Sequence, residues 1–249
     1  MRSHCKAARK KSQAAVFSNE RLSGGHHTGG HDAIELADRI KLCAPDARIL
    51  MVVREQRSLL LSLYAQYVKG FGCVSLEEYL HPTYTTHNKE LFNPVTLEFD
   101  KLATEYMKRF DEVLILPFEL LKSDPAKMIE SILEFMGMEI SESEKLSLVG
   151  NPHQNVSRPP ALQRLDRFLL PLRSSNVPHV GATYHNAVGR TFARALSAGI
   201  GSLPMKGLNN RLKAKNEKII NEFATNRFSQ SNERLSKLVG MNLKSFGYT

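Results

Sequence analysis

The stretch Ile49-Leu50-Met51-Val52-Val53-Arg54-Glu55-Gln56-Arg57-Ser58-Leu59-Leu60-Leu61-Ser62 decides the fold class of this chain. Its first half is a continuous apolar run, which is typical of a strand buried on both faces of a parallel sheet. The run ends on Arg54 and continues at once into a segment with helical character. Ligands of open α/β sheets bind just beyond the carboxyl ends of such strands. The stretch therefore predicts an anion site at Arg54.

Composition places the chain among ordinary globular proteins. Of its 249 residues, 42% are hydrophobic and 24% are charged, which is enough apolar material for a core, and we expect a single domain over residues 1–249. The formal net charge of +9 favours anionic partners. No aromatic residues are interleaved with the basic ones as in a surface that stacks bases, so we expect no nucleic-acid partner.

Cysteine usage and hydropathy bear on the compartment. Only Cys5, Cys43 and Cys73 occur and no CxxC pair is present, so neither a disulfide framework nor a thiolate metal cluster is predicted. No apolar run approaches the roughly 18 residues of a membrane span. The basic start, residues 1–12, lacks the apolar segment of a secretory signal and is expected to be disordered. We expect a cytoplasmic protein, with an organelle transit peptide as the alternative.

The periodicity outside the opening stretch predicts alternating strands and helices. A short strand is expected over Ala14 to Phe17 and a third strand over Val113 to Leu116. Strand, helix, strand, helix is the order of parallel βαβ units, so the predicted class is α/β with a short parallel sheet. The predicted helices are 32–44, 55–69, 76–80, 96–110, 125–136, 161–170 and two helices in the C-terminal part, residues 205–249.

Three segments together resemble the sulfotransferase family. They are the apolar strand with Arg54 and Ser62, the segment Leu114 to Gly137 that carries Glu119 and Asp124-Pro125, and the ending from Asn232-Glu233-Arg234-Leu235 through Phe246-Gly247-Tyr248. The resemblance implies a P-loop-NTPase-like three-layer fold. It also implies that 3′-phosphoadenosine 5′-phosphosulfate is the donor, and that a sulfuryl group passes to a hydroxyl of a glycan, a lipid or a small molecule. A non-catalytic remnant or a basic polyanion-binding protein is the alternative.

The resemblance assigns roles to residues that bind the donor. In the family, the arginine and the serine eight residues later bind the 3′-phosphate, and here these are Arg54 and Ser62. A planar guanidinium fits phosphate oxygens, and a hydroxyl can add a further donor. Ser58 shares the helix face of Ser62 and is a weaker candidate. Arg158, in a late loop, is a third donor-binding candidate.

A hydroxyl acceptor needs a base that takes its proton, and Glu20 is the predicted base. Glu20 follows the predicted Ala14 to Phe17 strand as Arg54 follows the next strand, and Glu20-Arg21 resembles the Glu-Lys pair of heparan-type sulfotransferases. Cytosolic members use a histidine nearby, so His26, His27 and His31 compete with it. The histidines have neither the spacing nor the cysteine partners of a metal site, and no metal is expected.

One segment that the family normally has is not found in the sequence. Sulfotransferases begin with a strand, a loop of the type Lys/Arg-x-Gly-Thr-Thr and a helix, which grip the 5′-phosphosulfate. The loop Ser23 to Gly30 is rich in glycine but lacks the Lys-Ser/Thr ending of a P-loop. We therefore expect an N-terminally truncated member of the fold. Its activity is expected to be very low, because each lost oxyanion donor is worth about 10²–10³ in rate in comparable sites.

Overall fold

The computed structural model describes residues 13–26, 29–69, 74–82, 92–149, 159–168, 174–177, 182–185 and 206–249. The strands are β1 (Ile49–Val53), β2 (Val113–Pro117), β3 (Ser174–Val177) and β4 (Ala182–His185). The α-helices are α1 (Ala33–Cys43), α2 (Gln56–Lys69), α3 (Leu76–Leu80), α4 (Phe99–Met107), α5 (Leu120–Ser123), α6 (Pro125–Met136), α7 (Glu142–Val149), α8 (Pro160–Phe168), α9 (Lys206–Ala224) and α10 (Ser229–Val239). Short 3₁₀ helices cover Glu20–Ser23, Pro94–Leu97 and Leu243–Phe246.

Strands β1 and β2 form a parallel pair, as the sequence predicts. Ile49 lies opposite Val113 and Val53 lies opposite Pro117, so the two strands are in register along their full length. Both carboxyl ends therefore lie at the same edge of this sheet. The described residues form a mixed α/β structure with a short parallel sheet and a helical C-terminal part, in agreement with the predicted class.

Helices pack on both faces of the β1–β2 pair, because successive strand side chains point to opposite faces. On one face Met51 and Val113 pack against a cluster formed by Ala37 of α1 and Tyr106 and Phe110 at the end of α4. On the other face Leu116 packs with residues of α5 and α6. The parallel pair is thus the middle layer between helices.

The largest core cluster lies beyond α2. The buried residues of this helix, which recur at helical spacing, are Gln56, Leu60, Leu63, Tyr64 and Val68. Leu60, Leu63, Tyr64 and Val68 join one cluster with buried residues of α3, α9 and α10, so the C-terminal helices close the core over α2. Because the remaining faces of α2 are only partly buried, serines on them are available for polar contacts.

Local signals that the sequence offers around α6 are confirmed. The Asp124 side chain caps the helix by accepting the N–H of Lys127 at 3.0 Å, and Pro125 occupies the first turn. The helix ends at Gly137, whose φ of 65° lies in the left-handed region that favours glycine. This helix is therefore placed by its own caps as well as by its apolar face.

Several features differ from the sequence prediction. Strand β1 is not buried on both faces, because Leu50 is 41% exposed and Val52 is 48% exposed, and helix α7 was not predicted. Residues Ala14 to Phe17 form no strand: the chain over 13–19 is irregular, and Val16 is 72% exposed. A four-residue apolar run has no strand propensity of its own unless another strand pairs with it. Strands β3 and β4 form an antiparallel hairpin that the sequence pattern did not predict.

Candidate functional site

The turn that follows β1 is organised by the side chain of Glu55. One carboxylate oxygen accepts the N–H of Arg57 at 3.0 Å, and the other accepts the N–H of Ser58 at 2.9 Å. These are backbone donors of the first turn of α2, which have no partner within the helix. A carboxylate at this position also complements the positive end of the helix dipole. The path of the chain from Val53 into α2 is thereby fixed.

Arg54 occupies this turn, and its guanidinium is held from two sides. Its Nε donates to the Ser58 hydroxyl at 3.0 Å, and its Cζ lies 5.2 Å from the centroid of the Phe118 ring. Among the described residues, neither terminal nitrogen of the guanidinium has a hydrogen-bond acceptor. The side chain is therefore held in place while two of its nitrogens keep their donors for an anion.

Ser62 lies on the same side of α2 as Ser58. The two serines are four residues apart, which places them one turn from each other on one helix face. Ser62 is partly buried, and among the described residues its hydroxyl makes no hydrogen bond. Arg54 donates a hydrogen bond to Ser58, which was the weaker candidate from the sequence. Ser62 lies on the same face of α2 as Ser58.

A second cation lies near the same aromatic ring. The Nζ of Lys122 is 5.9 Å from the centroid of the Phe118 ring, beside which the Arg54 guanidinium also lies. Each cation is attracted to the ring quadrupole, which reduces the cost of keeping two like charges close together. Among the described residues, Lys122 forms no ion pair. Arg54 and Lys122 therefore place two positive charges beside the Phe118 ring at the carboxyl edge of the sheet.

Behind this edge, Glu119 connects three parts of the chain. One of its oxygens accepts the backbone N–H of Glu55 at 3.0 Å, and the other accepts the phenol of Tyr248 at 3.0 Å. Burial raises the pKa of Tyr248 above its usual value, and the nearby Glu119 carboxylate raises it further, so the phenol is a proton donor at neutral pH. The residues Arg54, Glu55, Ser58, Glu119 and Tyr248 are referred to below as the strand-end network.

A buried amide pair supports the start of α2 from the opposite side. Gln56 is 2% exposed and exchanges hydrogen bonds with Asn232 of α10, with Nε2 to Oδ1 at 2.7 Å and Nδ2 to Oε1 at 3.2 Å. The Gln56 amide also donates to the carbonyl of Leu97 at 3.3 Å. The first turn of α2 is thus tied to the C-terminal helix and to the segment before α4.

The predicted base lies in a segment that differs from expectation. Glu20 is the first residue of a 3₁₀ helix, and its side chain lies outside the described residues. The carbonyl of Leu22 in the same helix accepts the phenol of Tyr106 at 2.7 Å, which holds this segment on α4. Because Ala14 to Phe17 form no strand, the reason for placing Glu20 at the carboxyl edge of the sheet is lost. Its catalytic role stays a prediction.

The glycine-rich loop lies between this 3₁₀ helix and α1. His26 Nδ1 is 3.4 Å from the Thr96 hydroxyl, and Thr96 adjoins Leu97, which contacts Gln56. The loop therefore lies against the segment that precedes α4. His27 and Arg158, which the sequence analysis named as candidates, lie outside the described residues.

The described part of this loop does not offer its backbone donors to an anion. The N–H of Gly25 points to the Asp32 carboxylate at 3.4 Å, and the N–H of Gly30 donates to the Gly25 carbonyl at 3.0 Å. Ala33 at the start of α1 likewise donates to Gly30. These N–H groups of the described residues are therefore not available to a phosphate.

Sequence reasoning missed several residues that build the site. Phe118 and Tyr248 were not singled out as site residues, and Glu119 entered only as part of a resemblance. Phe118 and Glu119 directly follow β2, as Arg54 and Glu55 follow β1, so the parallel register was the signal that could have found them. Tyr248 is separated from Glu119 by more than a hundred residues, and no local pattern indicates their contact.

The described residues also bear on metal binding and on membrane insertion. They contain no group of three or more His, Cys, Asp or Glu side chains arranged to hold a metal ion. Within the same residues, the helices fall short of the length and apolar character that crossing a membrane requires.

Parallel strands, helices on both faces and a held arginine at the carboxyl edge define an α/β protein with a candidate phosphate site. Residues 35–158, about half of the chain, match the family model of the sulfotransferase domain. The chain belongs to the sulfotransferase family. Sulfotransferase domains generally use 3′-phosphoadenosine 5′-phosphosulfate as donor and hydroxyl-bearing molecules as acceptors. No curated protein and no solved structure gave a match.

Proposed function

We propose that this protein binds 3′-phosphoadenosine 5′-phosphosulfate through Arg54 and Ser62 and transfers its sulfuryl group to a hydroxyl-bearing acceptor, at the very low rate that the sequence predicts. The observation that carries the proposal is the state of Arg54. Its Nε is bonded to Ser58, whereas its two terminal nitrogens have no acceptor among the described residues. An arginine held in this way suits bidentate contact with two oxygens of one phosphate.

The surroundings of Arg54 favour a bound phosphate, and not a carboxylate of the protein, as the partner of its guanidinium. Lys122 adds a second positive charge beside Phe118, and the hydroxyl of Ser62 on the adjoining helix face supplies a further donor. Glu55 and Glu119 are both occupied by donors on their two oxygens. The residues present therefore fit the 3′-phosphate end of 3′-phosphoadenosine 5′-phosphosulfate. When bound, this donor molecule would supply the sulfuryl group.

Glu20 is the proposed base for the acceptor hydroxyl, on its resemblance to the Glu-Lys pair of related enzymes. His26, His27 and His31 are the competing candidates, since cytosolic members of the family use a histidine near this place. In either case the group would accept the hydroxyl proton as the acceptor oxygen bonds to sulfur. A glycan, a lipid-linked sugar and a small alcohol are all acceptors that this chemistry admits.

The polyanion-binding alternative receives less support from the charges of α9. Lys213 pairs with Glu217 and Lys218 with Glu222 on the helix itself, and Lys215 pairs with Glu77 of α3. These cations are partly compensated by neighbouring carboxylates, so the helix face offers a weaker field for a polyanion than its lysine count indicates.

Ligand-induced stabilisation tests the proposed donor site. Adenosine 3′,5′-bisphosphate at a hundredfold excess over its Kd should raise the melting temperature by about 5–10 °C, because it binds only the folded state. Arg54→Ala should remove between about half and most of that rise, because the loss of two charge-assisted hydrogen bonds to phosphate lowers the affinity about 10- to 100-fold.

Arg48→Ala is the matched control, because Arg48 is an exposed arginine at the opposite end of β1 that pairs with Glu112. It should leave the ligand response unchanged. Equal losses in both variants, with steep weakening by salt, would indicate general polyanion binding. The absence of any shift in the unmodified protein would contradict the donor site itself.

A further inference from the structure

The last three residues of the chain lie against the turn that carries Arg54. The guanidinium of Arg57 donates to the carbonyl of Gly247 at 2.8 Å, and the Asn232 amide donates to the carbonyl of Thr249 at 3.0 Å. Between them, Tyr248 is 1% exposed. Each of the three residues is thus held by a different contact, and two of those contacts involve the start of α2 or its partner in α10.

Tyr248 acts on the turn through Glu119. Its phenol donates to one oxygen of the Glu119 carboxylate, and the other oxygen accepts the N–H of Glu55, both at 3.0 Å. That N–H belongs to the peptide bond between Arg54 and Glu55. The Tyr248 phenol therefore bears on the orientation of the peptide from which the Arg54 side chain extends.

Glu119 is also linked to the aromatic ring that lies beside the Arg54 guanidinium. Glu119 directly follows Phe118, whose ring lies beside the Arg54 guanidinium and whose N–H donates to the carbonyl of Val53 at 2.7 Å. A shift of Glu119 would displace both the peptide behind Arg54 and the ring beside it. Misplacement of a binding group by about 1 Å is enough to weaken its action strongly.

We propose that Tyr248 is a positioning residue of the phosphate site, which through Glu119 holds the Arg54 guanidinium in the orientation that meets the 3′-phosphate. The proposal rests on the proposed function, because it assumes that Arg54 binds this phosphate. The C-terminal segment Gly247 to Thr249 is on this account a part of the donor site that touches no donor atom.

The test is the affinity of Tyr248→Phe for adenosine 3′,5′-bisphosphate, measured by calorimetry beside adenosine 5′-monophosphate, which lacks the 3′-phosphate. The variant keeps the buried ring and removes only the hydroxyl. Binding of the bisphosphate should weaken by about threefold or more, whereas binding of the monophosphate should not change. Glu119→Gln has only one amide oxygen, so it cannot accept the two hydrogen bonds that the Glu119 carboxylate accepts. This variant should show the same selective loss, and it replaces Tyr248→Phe if that variant does not fold.

Tyr106→Phe is the matched control for loss of a buried phenol. Tyr106 is 4% exposed and donates to the carbonyl of Leu22, in contact with neither Glu119 nor Arg54. It should lower the melting temperature without changing the preference for the bisphosphate. If Tyr106→Phe and Tyr248→Phe lower affinity equally, Tyr248 acts only through stability and the positioning role is overturned.

A double-mutant cycle with Arg54→Ala separates the two proposals. If Tyr248 acts through Arg54, then Tyr248→Phe should have no further effect on bisphosphate affinity once Arg54 is alanine. An additive loss would overturn the positioning role and leave the donor site intact. If the unmodified protein fails to bind the bisphosphate, or if Arg54→Ala binds it as well as the unmodified protein does, the proposed donor site fails and the positioning role fails with it.

Discussion

The carboxyl end of β1 and one face of the same strand differ sharply in how their side chains are held. At the carboxyl end, the strand-end network joins Glu55, Glu119 and Tyr248 by hydrogen bonds around Arg54. Along the strand itself, one face is open: Leu50 is 41% exposed and Val52 is 48% exposed. The same strand is therefore apolar and uncovered on part of one face, yet closely organised where it ends.

The candidate functional residues of the sheet lie at its carboxyl edge and not along its exposed face. On the face that holds Leu50 and Val52, the neighbouring strand contributes Leu114 and Leu116, which α5 and α6 cover. Among the described residues, that cover does not extend over the β1 side of the face, since Leu50 and Val52 belong to no core cluster. The sheet is therefore not tightly packed throughout, and the hydrogen bonds at the carboxyl end of β1 belong to the strand-end network.

The largest difference is expected between matched leucines on this face. Leu116→Ala should lower the free energy of unfolding by about 2–5 kcal/mol, because Leu116 is completely buried. Leu50→Ala should lower it by less than about 1 kcal/mol, since much of that side chain already meets solvent. Urea denaturation of the two variants measures both values. Similar losses would mean that Leu50 is covered in solution.

An intermediate difference is expected between two glutamates at opposite ends of the sheet. Glu119→Ala removes the acceptor of the buried Tyr248 phenol and should cost about 1–3 kcal/mol in the free energy of unfolding. Glu112→Ala breaks an ion pair with Arg48 in which both side chains are about half exposed, and should cost about 0–1 kcal/mol. Chemical denaturation at low and high salt separates them, because only the exposed pair is screened. A salt-sensitive loss in Glu119→Ala would contradict a buried network.

The smallest difference is a pH effect that involves Tyr248. Its pKa is raised in the folded state, first by burial and then by Glu119, so its contribution to stability is complete below the unfolded pKa of about 10 and is lost as the pH rises above that value. The stability advantage of the unmodified protein over Tyr248→Phe should therefore shrink above about pH 10, by at most about 1.4 kcal/mol per pH unit.

Thermal unfolding of both proteins between pH 8 and about pH 11 measures this advantage. Tyr106 also has a raised pKa through burial, so Tyr106→Phe should show a similar narrowing and serves as the reference. A constant advantage of the unmodified protein over Tyr248→Phe across this range would show that the phenol titrates at its ordinary pKa and is not buried against Glu119.

Much of the secondary structure followed from local signals in the sequence. The apolar run before Arg54 is strand β1, the segment after it is helix α2, and the Asp124-Pro125 start and Gly137 end bound α6. These elements carry their own caps, periodicity and turn residues, so neighbours in the chain suffice to predict them. The Ala14 to Phe17 strand was wrong because a strand requires a partner, which a short apolar run cannot indicate.

The α/β class, the position of Arg54 at the end of a parallel strand and the resemblance to sulfotransferases could be predicted from the sequence, because each depends on short local patterns. The contacts of Glu119 and Tyr248 behind Arg54, and the hydrogen bond from its Nε to Ser58, became visible in the folded structure. Local periodicity shows which face of a helix or strand is buried, but it does not show which distant segment packs against that face.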